Sequence, residues 1–178
     1  MTGADDDAAE LELESRRAIY KAVESTPGIH FRALLDELDY AQGTLQYHLR
    51  WLADADLVAV SEDGKYTRYY PEGSFDEGDR AVMNALRRQC ARRILGYLVS
   101  EGALTTSELS DRIGKAASTV SFHLSQLEDA DLVTSERDGR AVRYEVTDPE
   151  RVSRLYALHH RSFADRLVDR LFDLWDAY

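Results

Sequence analysis

The sequence predicts a mainly α-helical chain with small β-hairpins, an α+β fold in which one small domain occurs twice. Residues 17–70 align with residues 92–145 without a gap, and the best match sets 44–49 over 119–124. A repeat of this length is a small domain rather than one turn of a solenoid. Two such domains fit a chain of 178 residues with 44% hydrophobic content.

The first copy contains three stretches with helical spacing of apolar residues, followed by two short strands around Asp63-Gly64. Asp-Gly between two apolar runs is typical of a tight hairpin turn. In the third helix, Leu45, Leu49 and Leu52 form the predicted buried stripe. The predicted elements are helices over 16–26, 30–38 and 43–54 and strands over 57–60 and 65–70.

The second copy repeats this order, with Asp138-Gly139 at the tip of its hairpin. Its predicted elements are helices over 92–100, 106–113 and 117–129 and a hairpin over 132–146. Three helices followed by a two-stranded hairpin form a winged helix, and its second and third helices form a helix-turn-helix. The sequence therefore predicts two tandem winged helix-turn-helix domains plus a C-terminal helix.

Composition and the repeat together suggest five segments along the chain. The predicted segments are an acidic disordered tail over 1–14, winged-helix domain 1 over 15–71, a linker over 72–78, winged-helix domain 2 over 79–150, and a dimerisation or docking helix over 151–178.

A family resemblance follows from the third helix of each copy. Residues 116–127, which include Ser118-Thr119-Val120-Ser121-Phe122-His123-Leu124, resemble the recognition-helix signature of ArsR- and MarR-like transcriptional regulators. The first copy looks like the N-terminal half of archaeal tandem winged-helix regulators, and the two matches together cover 16–150. The resemblance implies binding of duplex DNA. Asp56 and Asp131 stand where these families usually have Gly, and Asp tolerates the left-handed backbone that such a turn needs.

The formal net charge of −11 comes from 33 acidic and 22 basic residues, of which 19 are Arg and 3 are Lys. Most of this net negative charge, −9 of −11, lies in 1–14 and 72–78, so the two copies are close to neutral. This composition resembles that of proteins from haloarchaea, which accumulate salt; the alternative is an ordinary acidic protein. In molar KCl, phosphate contacts contribute less to affinity, so a near-neutral DNA-binding domain is physically reasonable.

DNA reading requires polar side chains on the side of each third helix opposite its buried stripe. Gln can pair with adenine, Arg can bind guanine, and Tyr or Thr can contact phosphate or a thymine methyl group. The predicted contacts on the recognition helices, over 43–54 and 118–129, are Gln42, Gly43, Thr44, Gln46, Tyr47 and Arg50 in the first copy and Ser118, Thr119, Ser121, Phe122 and Ser125 in the second. The first copy is the better candidate for base discrimination, since the second offers hydroxyl groups.

The hairpins, or wings, carry further basic residues that could enter a minor groove or hold phosphate. The predicted wing contacts are Lys65, Arg68, Arg137, Arg140 and Arg143. The alternative for Arg68 and Arg143 is that each braces its hairpin against a nearby acid such as Asp63 or Asp138.

Four other features have both functional and structural interpretations. The equivalent His48 and His123 suggest a metal site, but packing and a hydrogen bond to the neighbouring helix explain them better, because zinc needs three or four ligands. The rings of the adjacent His159 and His160 point about 100° apart on a helix, so they cannot easily share one metal ion. Lone Cys90 is a candidate redox thiol if nearby arginines lower its pKa. Arg87, Arg88, Arg92 and Arg93, on a predicted long helix over 79–99, either line a DNA backbone or pair with linker acids.

The C-terminal helix, which opens at Asp148-Pro149, carries a long apolar stripe. Either this helix folds back on the first domain, or it pairs with a second copy of the chain. A homodimer is expected, since symmetric reading helices suit a palindromic site. The predicted stripe is Val152, Leu155, Tyr156, Phe163, Leu167, Leu171, Leu174 and Trp175.

The sequence thus predicts a cytoplasmic, sequence-specific transcriptional regulator with duplex DNA as its partner and no cofactor or metal. Motifs for phosphate-binding loops, activated nucleophiles and paired catalytic carboxylates are missing from the sequence, so an enzyme is not expected. The sequence has no long apolar run for a membrane span. The alternative function is a winged-helix protein-interaction module of the transcription or replication machinery.

Overall fold

The computed structural model describes residues 3–163, with side chains from Glu12 onward, and the chain divides into two compact units, Met1–Asp76 and Glu77–Tyr178. Eight helices and six strands lie within the described residues. Both units contain a three-helix arrangement followed by a hairpin, so the predicted fold class is confirmed. Within residues 3–163, none of the helices combines the length and apolar character needed to cross a bilayer.

Unit 1 is built from three helices around one small antiparallel sheet with strand order β1-β3-β2. Its elements are α1 (Gly3–Ser25), β1 (Ile29–His30), α2 (Phe31–Leu38), α3 (Gln42–Asp54), β2 (Val58–Asp63) and β3 (Tyr66–Pro71). The sequence did not predict β1, because two residues are too few to show an alternating pattern. Pairing of Ile29 with Tyr69 and His30 with Arg68 ties the start of α2 to the wing.

The core of unit 1 lies between α1, α2 and α3. Leu45, Leu49 and Leu52, the predicted stripe of α3, are all buried, as are Ile19 of α1 and Leu34 of α2. Full burial of one such side chain contributes about 1.5–3 kcal/mol. This packing fixes which side of α3 faces outward.

The prediction of a disordered tail over 1–14 is wrong for residues 3–14, which are helical and part of α1. Ala, Leu and Glu dominate this stretch and are strong helix formers. Acidic residues near the start of a helix are also stabilised by its macrodipole. A high density of negative charge therefore does not prevent this segment from extending the first helix.

Unit 2 repeats the arrangement and adds a helix at each end, with strand order β4-β6-β5 in its sheet. Its elements are α4 (Glu77–Leu86), α5 (Gln89–Glu101), β4 (Leu104–Thr105), α6 (Thr106–Ile113), α7 (Ala117–Asp129), β5 (Val133–Asp138), β6 (Ala141–Val146) and α8 (Pro149–Phe163). Val120, Leu124 and Leu127 are the buried stripe of α7, which packs against α5 and α6.

The predicted single helix over 79–99 is wrong, because the chain breaks between α4 and α5. Arg88 is the N-cap of α5 and has extended backbone angles, φ −90° and ψ 115°. The guanidinium of Arg92 donates a hydrogen bond of 2.9 Å to the carbonyl of Leu86 at the end of α4. The break lets α4 pack along α8, and this tertiary packing outweighs the local helix preference.

The left-handed turns predicted at Asp56 and Asp131 are confirmed, with φ of 53° and 56°. In each unit the following leucine amide donates back across the helix end, from Leu57 to Leu52 O and from Leu132 to Leu127 O, both at 2.9 Å. This bond satisfies a carbonyl left over at the helix C-terminus. The turn then directs the chain into the first strand of the wing.

Helix α8 begins as predicted, since the Asp148 carboxylate accepts a hydrogen bond of 2.9 Å from the Arg151 amide. Its Val152, Leu155 and Phe163 are buried, and the helix packs against α4 and α5 of its own unit. These contacts lie within unit 2, and pairing with a second copy stays a prediction. The remaining predicted stripe residues, Leu167, Leu171, Leu174 and Trp175, lie outside the described residues.

Candidate nucleic-acid interface

The outer face of α3 is defined by Gln42, Gly43, Thr44, Gln46, Tyr47 and Arg50, and all six residues are exposed. They lie opposite the buried leucine stripe, as the sequence predicts. Arg50 is the single cation among them, and Tyr47 is 54% exposed. The face therefore offers two glutamine amides, one guanidinium, hydroxyl groups and an aromatic ring. These groups suit hydrogen bonding to base edges.

The outer face of α7 is defined by Ser118, Thr119, Ser121, Phe122 and Ser125, which are likewise all exposed. None of these five side chains is charged. Gln46 of α3 is replaced here by Ser121, and Arg50 by Ser125, so the two outer faces differ most at the positions that could discriminate bases.

Both recognition helices start at an N-terminus without a side-chain cap. Ala41 precedes α3 and Ala116 precedes α7, and neither side chain can accept a hydrogen bond. In contrast, α6 has a capping box in which the Thr105 hydroxyl and the Glu108 carboxylate bond to each other's amides. No N-cap side chain takes up the first amides of α3 or α7, although the Thr119 amide of α7 already donates to Ala116 O at 2.9 Å. Phosphate oxygens bind well at such helix ends.

Sequence reasoning missed these open helix ends and also missed Lys115, an exposed lysine in the turn before α7. Its carbonyl accepts a hydrogen bond of 2.6 Å from the Ser110 hydroxyl, which ties the turn to α6. The available signal was local: an alanine at the N-cap position, with a lysine beside it in the second copy.

The wing of unit 1 does not present Arg68, and its predicted role as a DNA contact is wrong because this side chain is buried. Arg68 Nε donates to Asp63 Oδ2 at 2.7 Å, and Nη1 donates to the Gly28 carbonyl at 3.1 Å. The bracing alternative describes this residue. Lys65 remains exposed at the tip, with its ammonium 5.2 Å from the centre of the Tyr66 ring.

The wing of unit 2 presents two exposed arginines, Arg137 and Arg140, on either side of its tip. Arg143, the equivalent of Arg68, is partly exposed and braces the hairpin through Asp138 Oδ2 at 3.3 Å and the Ala103 carbonyl at 3.1 Å. The same bracing pair is thus buried in unit 1 and solvent-accessible in unit 2. Arg137 and Arg140 are the wing cations most available to a partner.

The defined hydrogen bonds of Arg87, Arg92 and Arg93 go to main-chain carbonyls at helix ends, an arrangement that neither predicted interpretation included. Arg93 donates to the carbonyls of Ile113 and Arg112 at 2.9 and 3.3 Å, which caps the end of α6. Arg87 donates to Ser162 O at 3.2 Å, and Arg92 to Phe163 O at 3.3 Å. These cations stabilise unit 2 by binding helix carbonyls.

The structure also changes the interpretation of Cys90. Partial burial raises the pKa of its thiol, and the positive charges of Lys115 and Arg93 offset this effect in part. A raised pKa reduces the thiolate population that reacts with oxidants. The condition for a redox thiol, a pKa lowered by the neighbouring arginines, is therefore not met.

His48 and His123, at equivalent positions of the two units, lie among packed side chains rather than metal ligands. Within the described part of the chain, no group of three or more His, Cys, Asp or Glu side chains is arranged to hold a metal ion. His48 and His123 each have a buried Nδ1 without a hydrogen-bond partner, so the predicted hydrogen bond to the neighbouring helix is not made through that atom. Each imidazole instead contacts the preceding aromatic ring, Tyr47 or Phe122, edge to face.

Acidification is expected to destabilise both units through these histidines. Burial lowers the pKa of His48, helped by the positive charge of Arg16, and burial also lowers the pKa of His123, helped by Arg88. The unfolded chain then binds more protons than the folded chain once the pH falls below the ordinary histidine value of about 6.5. The contribution of the two neutral histidines to stability is fully present above that pH. It is lost as the pH falls toward the lowered pKa values of the folded state.

The measurement is the free energy of unfolding at a series of pH values from neutral to mildly acidic, for the wild type and for His48→Gln/His123→Gln. The double variant should show a shallower fall below the ordinary histidine pKa. An unchanged slope in the double variant would show that other groups carry the acid sensitivity.

Two units with a recognition helix, an open helix end and a wing define a winged helix-turn-helix protein. Comparison with family models agrees: residues 13–83 match an N-terminal HTH domain, and residues 91–136 match a helix-turn-helix domain. An uncharacterized HTH-type transcriptional regulator of Methanocaldococcus jannaschii is 29% identical over 143 residues. That match covers 80% of this chain and 36% of the relative, so this chain spans about a third of the relative's length.

Among solved structures, HlyU from Vibrio cholerae is 25% identical, with a TM-score of 0.42, and the match covers 47% of this chain and 89% of that one. NolR from Sinorhizobium fredii is 27% identical, with a TM-score of 0.41, over 47% and 83% of the two chains. A homodimeric winged helix-turn-helix DNA-binding domain from Mycobacterium bovis is 26% identical, with a TM-score of 0.42, over 53% and 92%. Each match covers about half of this chain.

Proposed function

We propose that this chain is a transcriptional regulator that binds specific duplex-DNA sequences through α3 and α7, assisted by the wing of unit 2. The observation that carries the proposal is the repeated helix with a buried apolar stripe, an exposed polar outer face and an uncapped N-terminus. The helix-turn-helix matches over 13–83 and 91–136, and the regulator from Methanocaldococcus jannaschii, support this function rather than catalysis.

Base discrimination is assigned mainly to α3. Gln46 and Arg50 stand one turn apart on its exposed side, and their amide and guanidinium can each form two hydrogen bonds with a purine edge. The outer face of α7 and the exposed Arg137 and Arg140 supply contacts to phosphate and groove. Tyr47 and Thr44 add hydroxyl groups near the open end of α3.

The protein is proposed to act in the cytoplasm at high salt and as a homodimer. The excess of acid, with 19 Arg against 3 Lys, supports a halophilic origin. An α7 face without charged side chains and an α3 face with one cation suit molar salt, where counterion release contributes little. Tyr156 and Leu158 of α8, 48% and 68% exposed, are apolar surface that a second copy could cover.

The test is selection of bound duplexes from a random pool in about 0.2 M and about 2 M KCl, because salt controls phosphate affinity. The wild type should enrich one motif, and Gln46→Ala/Arg50→Ala should bind it at least about tenfold more weakly, since each bidentate contact contributes about 1–3 kcal/mol. The matched control is Ser121→Ala/Ser125→Ala at the equivalent positions of the second copy, which should lose less affinity.

An inverted repeat in the enriched motif is the result expected for a homodimer, and a direct or single site would contradict it. A folded protein that enriches no motif at either salt concentration would remove the regulator function. The alternative is then a protein-interaction module, which the uncharged α7 face with its 61% exposed Phe122 favours.

A further inference from the structure

We propose that α7 reads thymine methyl groups through Phe122, so that the preferred DNA carries a 5-methyl pyrimidine in the major groove opposite unit 2. This inference rests on the proposed function and specifies what the second recognition helix recognises. It starts from one unusual side chain: Phe122 is 61% exposed at the centre of a face whose other members are serines and a threonine.

The exposure of this ring is not a consequence of poor packing of the helix. Val120, Leu124 and Leu127 on the other side of α7 are at most 2% exposed, so the helix is firmly seated and cannot rotate to bury Phe122. The ring is held from one side by His123, with 5.4 Å between ring centroids and an interplanar angle of 71°. Most of its surface is exposed to solvent.

Unit 1 contains the same arrangement at the equivalent position. Tyr47 is 54% exposed and meets His48 with 5.1 Å between ring centroids and an interplanar angle of 63°. The flanking positions differ between the copies, since Gln46 corresponds to Ser121 and Arg50 to Ser125. The aromatic ring with its neighbouring histidine, and the threonine at positions 44 and 119, are therefore the parts of the outer face that both copies share.

The chemistry of phenylalanine narrows the ligand. Its ring has no hydrogen-bond donor or acceptor, so it can neither bind phosphate oxygens by hydrogen bonds nor distinguish the polar edges of the bases. The C5-methyl group of thymine is the apolar group that base pairs display in the major groove. The small hydroxyl side chains of Ser118, Ser121 and Ser125 leave room for the duplex to approach the ring.

The expected effect follows from the apolar surface that one methyl group buries. Removing a buried methyl group weakens binding about fourfold, from about 0.8 kcal/mol and the tenfold change per 1.4 kcal/mol. The contact does not involve counterion release, so the ratio should persist between low and high KCl, whereas total affinity changes with salt.

The experiment replaces each thymine of the selected operator in turn with deoxyuridine, which removes the methyl group and keeps the base pairing. Dissociation constants are measured for the wild type, Phe122→Ala and the matched control Ser125→Ala, which alters the same face. The wild type and the control should lose about fourfold at one or more thymines. Phe122→Ala should bind both forms equally at those thymines, and Phe122→Leu, which keeps an apolar side chain, should retain part of the difference.

The inference is overturned if deoxyuridine changes wild-type affinity at no thymine, or if Phe122→Ala retains every wild-type ratio. Titration of the unmodified operator distinguishes failure of the Phe122 contact from failure of the proposed function. Tight binding of that duplex without methyl dependence removes only the role of Phe122. Failure of the wild type to bind any selected duplex removes the proposed function.

Discussion

Asp63→Ala is expected to lower the free energy of unfolding of unit 1 by roughly 3–5 kcal/mol, the cost of leaving one member of a buried ion pair alone. Asp63 and Arg68 meet at 2.7 Å, and their side chains are 6% and 7% exposed. Arg68 would keep the Gly28 carbonyl at 3.1 Å and the Tyr66 ring at 5.5 Å, and neither group can neutralise its charge. An unpaired guanidinium would then be held in the sheet that joins the wing to the start of α2.

The second copy supplies a matched control for this variant. Asp138 and Arg143 occupy the same positions, but they are 3.3 Å apart and their side chains are 73% and 39% exposed. Solvent screens such a pair, so Asp138→Ala should cost less than about 1 kcal/mol. Amide hydrogen exchange of peptides from β2–β3 and β5–β6 gives the loss separately for each unit. Equal losses in the two units would contradict the assignment of a buried pair in unit 1.

A paired replacement distinguishes a structural pair from a functional one. Asp63→Leu/Arg68→Met removes both charges at once, and a buried ion pair replaced by apolar residues of similar volume is often neutral for stability. We expect this double variant to recover most of the stability lost by Asp63→Ala. Its affinity for the selected operator should match that of the wild type, because Arg68 is not presented to DNA.

The sequence predicted the elements whose signal is local and periodic. The leucine stripe of α3 and the Asp-Gly hairpins each follow from spacing that the structure confirms. The left-handed Asp56 and Asp131 were predicted from the family resemblance, because the resembled regulators usually have Gly at these positions and Asp tolerates the same backbone.

Prediction failed where tertiary contacts override a local preference. The helix expected over 79–99 breaks at Arg88 because α4 packs on α8, and no local signal marks that break. The arginines nearby looked like a DNA-facing cluster, yet Arg93 caps α6 from a position 20 residues earlier in the chain. Strand β1 was missed because its two residues gain their structure from pairing with β3.

The exposed faces of the recognition helices were predictable from the sequence, but the number of exposed arginines on each wing was not. The exposed face of each recognition helix follows directly from the buried stripe. The exposure of a wing arginine does not follow from the Asp-Gly and Arg-Tyr residues that the two hairpins share, because Arg68 and Arg143 differ in exposure. In unit 1 the Tyr66 ring lies 5.5 Å from the Arg68 guanidinium, whereas the equivalent residue in unit 2 is Ala141.

Leu124→Ala is expected to lower the free energy of unfolding of unit 2 by about 2–5 kcal/mol, the range for truncating a fully buried leucine and leaving a cavity. Leu124 is 1% exposed and lies on the stripe that α7 packs against α5 and α6. Phe122→Ala, two residues earlier on the same helix, should change stability by less than about 0.5 kcal/mol because most of the ring is in solvent.

Chemical denaturation of both variants, followed by circular dichroism and by hydrogen exchange in α7, measures these losses. The two variants distinguish packing of the recognition helix from DNA recognition. Leu124→Ala should weaken binding to every duplex in proportion to the unfolded fraction. Phe122→Ala should remain folded and should lose the preference for thymine over deoxyuridine. If Phe122→Ala lowered the free energy of unfolding by several kcal/mol, the ring would support the core. That result would contradict its assignment as a DNA contact.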